Sequence, residues 1–144
     1  MRVLVQRSKK SSVVVDKKTI GSIDKGLVLL VGFTEGDGID EIKYMINKVL
    51  NLRIFDDENG VMNKSILDVG GDILSISQFT LYGDAKKGNR PSYINALGGE
   101  KAEPLYNKFN EELSKSIKVE TGKFGAEMTV NITNDGPVTI WLEK

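Results

Sequence analysis

The run Leu27-Val28-Leu29-Leu30-Val31 constrains the fold more than any other stretch, because it is apolar at every position and has no face to give to water. A strand of that kind belongs in the middle of a sheet covered on both sides, and the rest of the chain must supply the covers. One cover is a helix: Gly36-Asp37-Gly38 breaks the chain and offers an N-cap, after which Ile39, Ile42, Ile46, Val49 and Leu50 recur at helical spacing, with Asp40, Glu41, Lys43 and Lys48 mostly opposite. A second helical stripe, Ala102, Leu105, Tyr106, Phe109, Leu113 and Ile117, follows a loop that ends at Gly98-Gly99, and places Pro104 in its first turn. Lys101, Lys108 and Lys115 share one side of this helix, but interspersed glutamates favour a solvated surface over a phosphate-binding one.

The remaining segments read as strands. Val3, Val5 and Arg7 alternate with Leu4, Gln6 and Ser8, Val13-Val14-Val15 resumes after a polar break, and Asp16-Lys17-Lys18 turns tightly into Thr19–Ile23. Arg53-Ile54-Phe55 and Val61–Ser65 flank an acidic turn, Asp56-Asp57-Glu58-Asn59-Gly60, which lacks the ligand spacing and final Glu of a calcium loop. Ala126 to Thr133 alternates without fault, and Asn134-Asp135-Gly136-Pro137 turns it into a last strand over Val138–Leu142. The order predicts one α+β domain over residues 1–144, with a largely antiparallel sheet that curls toward a barrel and two main helices.

Composition then restricts the chemistry. The chain has 20 basic and 20 acidic residues, so any contact with nucleic acid must come from a local patch. It has no cysteine and no histidine, which excludes disulfides, thiolate nucleophiles, Ser-His-Asp and Cys-His arrangements and His-ligated zinc. Neither a metal nor a cofactor is expected. Enzymatic chemistry in such a chain must rest on positioning and backbone dipoles, and so on a bond that is already activated. The N-terminal residues lack the apolar core of a signal peptide and Leu27–Phe33 is too short to cross a bilayer, which makes the cytoplasm the expected location and leaves membranes out. No nucleotide-binding glycine motif and no internal repeat is present.

Ser77-Gln78-Phe79-Thr80-Leu81-Tyr82-Gly83-Asp84 stands apart. It follows the apolar approach Ile73-Leu74-Ser75-Ile76 and precedes a basic loop, Lys86-Lys87-Gly88-Asn89-Arg90-Pro91. Ser77, Gln78, Thr80 and Tyr82 crowd hydrogen-bonding groups onto the end of what reads as a buried strand. Buried polar groups need partners, and a ligand is one candidate partner. The plainer reading, which the pattern by itself favours, is a strand with one wet face on which Gln78, Thr80 and Tyr82 point to water.

Taken with Lys87-Gly88-Asn89-Arg90-Pro91-Ser92, Phe124-Gly125-Ala126 and Asn134-Asp135-Gly136-Pro137-Val138-Thr139, this stretch resembles the D-aminoacyl-tRNA deacylase family, over the whole chain. Gln6-Arg7, Leu52-Arg53-Ile54-Phe55 and Met62-Asn63 extend the likeness, while Gly83 and Tyr93 depart from it at positions expected not to touch the proposed chemistry. The resemblance implies hydrolysis of the ester joining a D-amino acid, or glycine mischarged on tRNA(Ala), to tRNA, by a cytoplasmic homodimer with its site at the subunit interface. It implies catalysis by Ser77, Gln78, Phe79 and Thr80, with Phe79 and Thr80 N–H groups on the oxyanion. It also implies chiral selection by Gly136 and Pro137, joined by a cis bond and inserted into the partner's site. Phe124 is expected to line the pocket, and Lys86, Lys87 and Arg90 to contact tRNA. Two other readings stay open: a non-enzymatic nucleic-acid-binding dimer, and a deacylase shifted toward L-amino acids.

Overall fold

The computed structural model describes residues 1–144. Its elements run β1 (Arg2–Ser8), β2 (Ser11–Val15), β3 (Lys18–Ile23), β4 (Gly26–Gly32), α1 (Ile39–Asn51), β5 (Phe55–Asp56), β6 (Met62–Lys64), α2 (Ile66–Val69), β7 (Asp72–Ser77), a 3-10 turn (Phe79–Tyr82), α3 (Gly99–Ser114), β8 (Val119–Thr121), β9 (Thr129–Asn131) and β10 (Asn134–Glu143). The fold is α+β. As its sequence demands, β4 lies third in a five-stranded sheet of order β10-β1-β4-β7-β8. Leu27, Leu29 and Val31 face a core shared with α1 and α3, and Val28 faces a second core of Val13, Ile23, Leu74 and Ile76 under the sheet β3-β2-β9. Burying each such side chain contributes about 1.5–3 kcal/mol, so both covers are needed.

Antiparallel pairing prevails across the three sheets, but β4 pairs β7 in parallel and β7 pairs β8 in parallel. The cause is connectivity, since α1 lies between β4 and β7 and α3 between β7 and β8, and parallel neighbours need such crossovers. Neither large sheet closes on itself, so the expected curl does not reach a barrel. No helix is long and apolar enough to cross a membrane.

Local differences from the sequence reading have physical causes. Helix α3 starts at Gly99, so Pro104 falls in its second turn and leaves the Glu100 carbonyl without its helical donor. Its lysines are engaged by carboxylates, Lys108 and Lys115 with Glu112 and Lys101 with Glu35, a solvated ion-pair surface. Helix α2 was too short to show periodicity; only the reciprocal cap betrays it, with Asp68 N–H donating to Ser65 Oγ and Ser65 N–H to Asp68 Oδ2. The 126–133 segment alternates in exposure, yet only Thr129–Asn131 pairs, because Ala126 is held in a turn by its N–H to Lys123 O. The last strand begins at Asn134 rather than Val138, and Gly136-Pro137 is a bulge within it: Gln6 pairs Thr139 while Ser8 pairs Asn134.

Glu41 reaches back to accept the Gly38 N–H at 2.8 Å, and backbone hydrogen bonding holds its carboxyl below the ordinary 4.5. A lowered carboxyl favours the fold at pH above 4.5 and loses that contribution as pH falls through its folded value. The thermal midpoint of Glu41→Gln is therefore expected to start lower at neutral pH and to decline less than wild type below pH 4.5, as followed by circular dichroism. Parallel curves for the two proteins would show that this cap is inert.

Candidate active site

The parallel ladder of β4 with β7 ends at the pair Val31–Ser77, and its final bond runs from Gln78 N–H to Val31 O at 2.7 Å. Beyond it the chain leaves the sheet. Gly32 allows this, since a Cβ there would lie 2.9 Å from Gln78 O and 3.4 Å from both Leu81 Cβ and Tyr82 Cδ2. The expectation of a strand with Gln78, Thr80 and Tyr82 on one wet face is thus corrected: Phe79–Tyr82 is a 3-10 turn and Tyr82 is buried. Burial pushes the Tyr82 phenol up to about 12, so it stays neutral.

Ser77, Gln78 and Phe79 line a cleft of about 630 Å³. Opposite them are Gly98, Gly99 and Ala102 of the start of α3, and the remaining wall includes Phe124, Met128 and Tyr93. No carboxylate, ammonium or guanidinium is among the lining residues. Phe79 is 56% exposed and meets the Tyr93 ring edge-on, with centroids 5.2 Å apart. Phe124 rests 5.8 Å from the Tyr106 ring. Below the cleft, the Tyr106 hydroxyl donates to Ser75 O at 2.8 Å, and burial raises its pKa.

The first hydrogen bond of the 3-10 turn runs from Leu81 N–H to Gln78 O. The N–H groups of Phe79 and Thr80 therefore precede any acceptor the turn can offer, as the leading donors of a helical turn always do. Thr80 Oγ1 is exposed and accepts a short hydrogen bond from Gln78 Nε2; no basic side chain adjoins it. Such a pair fixes the two side chains relative to each other but does not activate the hydroxyl.

Of the residues singled out from sequence, Ser77, Gln78, Phe79 and Phe124 are brought together on the cleft, with Thr80 next along the turn. Lys86, Lys87 and Arg90 are exposed on a loop whose ends, Asp84 and Ser92, exchange two backbone hydrogen bonds of 2.8 Å just before Tyr93. Gly136 and Pro137 are not on this chain's cleft. They sit on β10, three strand spacings from β7, which is about 14 Å.

That second element is built with care. The Gly136–Pro137 bond is cis, and Gly136 has φ +121°, a value that side chains rarely adopt. Arg7 is buried behind it: Nε donates to Asp135 O at 3.2 Å, Nη1 to Ile54 O at 2.8 Å, and Asp56 and Asp135 carboxylates lie 3.3 and 3.2 Å away. Asn134 Nδ2 donates to the carbonyls of Arg7 and Val138, at 3.0 Å each, and closes the bulge from the other side. Sequence reasoning missed the roles of Arg7, Tyr93, Met128 and the start of α3. Arg7 had left a signal, a charged residue in register with core-facing Val3 and Val5.

The site is an apolar cleft bearing hydroxyl and amide side chains, on a mixed α+β scaffold. A family model described as D-Tyr-tRNA(Tyr) deacylase matches residues 4–143. A protein named D-aminoacyl-tRNA deacylase from Clostridium novyi (strain NT) is 58% identical over 145 residues, covering 100% of this chain and 97% of its own. Another of that name from Clostridium botulinum (strain 657 / Type Ba4) is 59% identical with the same coverage. Among solved structures, the c-Myc DNA Unwinding Element Binding Protein superposes with a TM-score of 0.95 at 44% identity, over 100% of this chain and 99% of that one. A probable eukaryotic D-amino acid tRNA deacylase shares the fold with a TM-score of 0.83 at 18% identity, over 98% and 97%. The chain belongs to the D-aminoacyl-tRNA deacylase family, and is a hydrolase.

Proposed function

We propose that the cleft takes the aminoacylated end of tRNA and cleaves the ester of D-amino acids, and of glycine mischarged on tRNA(Ala), as chiral proofreading. The observation that carries this reading is the pair of N–H groups at the head of the Phe79–Tyr82 turn, beside a cleft with no charged side chain. Water adds to the ester carbonyl carbon, and the Phe79 and Thr80 N–H groups stabilise the negative charge that develops on its oxygen. The neighbouring ribose hydroxyl aids the attack by taking the proton the water loses and passing one to the ester oxygen, so that collapse breaks the C–O bond and releases the ribose hydroxyl and the free amino acid. Ser77 and Gln78 hold the segment in place. Thr80 ranks behind this water as nucleophile, since its hydroxyl meets an amide and no base, whereas the water has the ribose hydroxyl to take its proton. An aminoacyl ester needs less activation than an amide, which suits a chain without histidine.

Handedness is judged by a second copy in this proposal. Gly136 and Pro137 protrude from β10 on a bulge braced by Arg7, too far to reach their own cleft, and enter the cleft of a partner in a homodimer. There the rigid main chain accepts the α-amino group and leaves no room for an L side chain, which is discrimination by exclusion. Lys86, Lys87 and Arg90 contact the RNA backbone, a modest and salt-sensitive attraction on a chain of zero net charge. The likeness to the c-Myc DNA Unwinding Element Binding Protein, whose name states DNA binding, supports the binding part of a second reading, a nucleic-acid-binding dimer without catalysis.

Incubation with D-tyrosyl-tRNA, L-tyrosyl-tRNA and glycyl-tRNA(Ala) separates these readings. Loss of the D and glycyl esters alone is expected; survival of all three in a protein that still binds nucleic acid would favour the binding module, and loss of the L ester a shifted enzyme.

Pro137→Ala is expected to raise hydrolysis of L-tyrosyl-tRNA while leaving the fold intact. A purified heterodimer joining this chain to one whose cleft is filled by Gly99→Trp has a single working cleft, facing an unaltered Pro137, so rejection of the L ester should return. If it loses the L ester at the rate per working cleft of the Pro137→Ala homodimer, the filter acts within one chain.

A further inference from the structure

The turn that carries the Phe79 and Thr80 N–H groups is held at its front by the last bond of the β4–β7 ladder, Gln78 N–H to Val31 O. Its back rests on Arg2. Arg2 pairs across the β1–β4 ladder with Gly32, and the bare backbone there lets Leu81 and Tyr82 settle onto the sheet within reach of the guanidinium. Nη1 donates to Leu81 O at 2.9 Å, and the guanidinium lies over the Tyr82 ring with its carbon 4.3 Å from the centroid. It also lies 5.4 Å from the Trp141 ring, and Glu143 takes Nε at 3.2 Å and Nη2 at 3.4 Å. Trp141 Nε1 in turn donates to Glu143 Oε2 at 3.2 Å. The half-buried guanidinium thus meets a carbonyl, a carboxylate and two rings at once, which a planar fork with five donors can do and an ammonium cannot.

We propose that Arg2 is a positioning residue for the hydrolysis: by fixing the Leu81 carbonyl and the Tyr82 ring, it sets the direction in which the Phe79 and Thr80 N–H groups point. The inference rests on the reading that these groups face the scissile carbonyl. Arg2 itself does not touch the substrate. Hydrogen bonds weaken steeply with misalignment, so a turn released at its back loses much of its grip on a developing oxyanion without losing the cleft that binds the ground state. A charge in the sheet that merely stabilised β1 against β10 would act on the thermal midpoint and leave kcat alone.

The test is single-turnover hydrolysis of D-tyrosyl-tRNA over a range of enzyme concentrations, with thermal midpoints measured beside it, for wild type, Arg2→Met, Arg2→Lys and Gly99→Trp. Arg2→Met keeps the stem and removes the donor and the charge; the maximal rate should fall about tenfold, a fraction of the loss that follows removal of a whole oxyanion donor, while half-saturation moves by no more than about twofold. Arg2→Lys retains one donor for Leu81 O and should recover part of that loss. A maximal rate within about twofold of wild type in Arg2→Met, or a loss confined to half-saturation, would overturn the assignment. If Arg2→Met does not fold, Arg2→Lys decides: a maximal rate below wild type at unchanged half-saturation upholds it, and wild-type kinetics refute it. Gly99→Trp separates the two levels of the argument, because full activity with the cleft filled would instead bring down the site on which the inference stands.

Discussion

The structure depends on where the β4–β7 ladder stops. Parallel strands spend their N–H and C=O groups on each other, and a chain leaving such a ladder must find other partners for those that follow. Here the exit is permitted by Gly32, over which the Gln78 carbonyl passes too closely for any side chain. The 3-10 turn that results consumes Leu81 N–H and Gly83 N–H but leaves the two donors at its head unspent. The first of them belongs to Phe79, which lines the cleft between β7 and the start of α3. In the proposed mechanism the site is a by-product of sheet termination, and it requires no ionisable group.

That origin explains why a chain with neither histidine nor cysteine can be a hydrolase. Fixed dipoles in a cleft without countercharges act in a less screened medium than water and need no reorganisation as charge develops. The scaffold keeps them fixed from several sides: Val31 O at the front, Arg2 at the back, and Tyr106 linking α3 to β7 from below. The Gly136–Pro137 bulge is braced in the same manner, by Arg7 and Asn134 rather than by a hydrophobic core. The 3-10 turn and the Gly136–Pro137 bulge thus stand on opposite parts of one sheet, and in the proposed homodimer each meets its counterpart from another copy.

The central strand, both long helices and the tight turn at Asp16-Lys17 were legible because each rests on a period or a residue type that local sequence carries. Parallel pairing was not, since the order of strands in a sheet depends on which way a crossover folds back. Tyr82 shows the limit of alternation. Its position predicts water, yet the chain turns before reaching it, over space left by a glycine on a neighbouring strand some fifty residues earlier. Of the residues that line the cleft, Ser77 to Phe79 and Phe124 could be picked out by family resemblance, whereas Tyr93, Met128 and Gly99 join it from separate segments with no local mark of it.

The claim at the centre of this account is that main-chain donors, not an acid or a base, stabilise the reacting carbonyl. Its most direct test compares Phe79→Pro, which deletes one of the two N–H groups at a first-turn position that tolerates proline, with Phe79→Ala, which deletes the same ring and keeps the donor. In hydrolysis of D-tyrosyl-tRNA the account predicts that the proline variant is slower than the alanine variant by about 10²–10³ in maximal rate, with both folded. Equal rates for the two folded variants would contradict it.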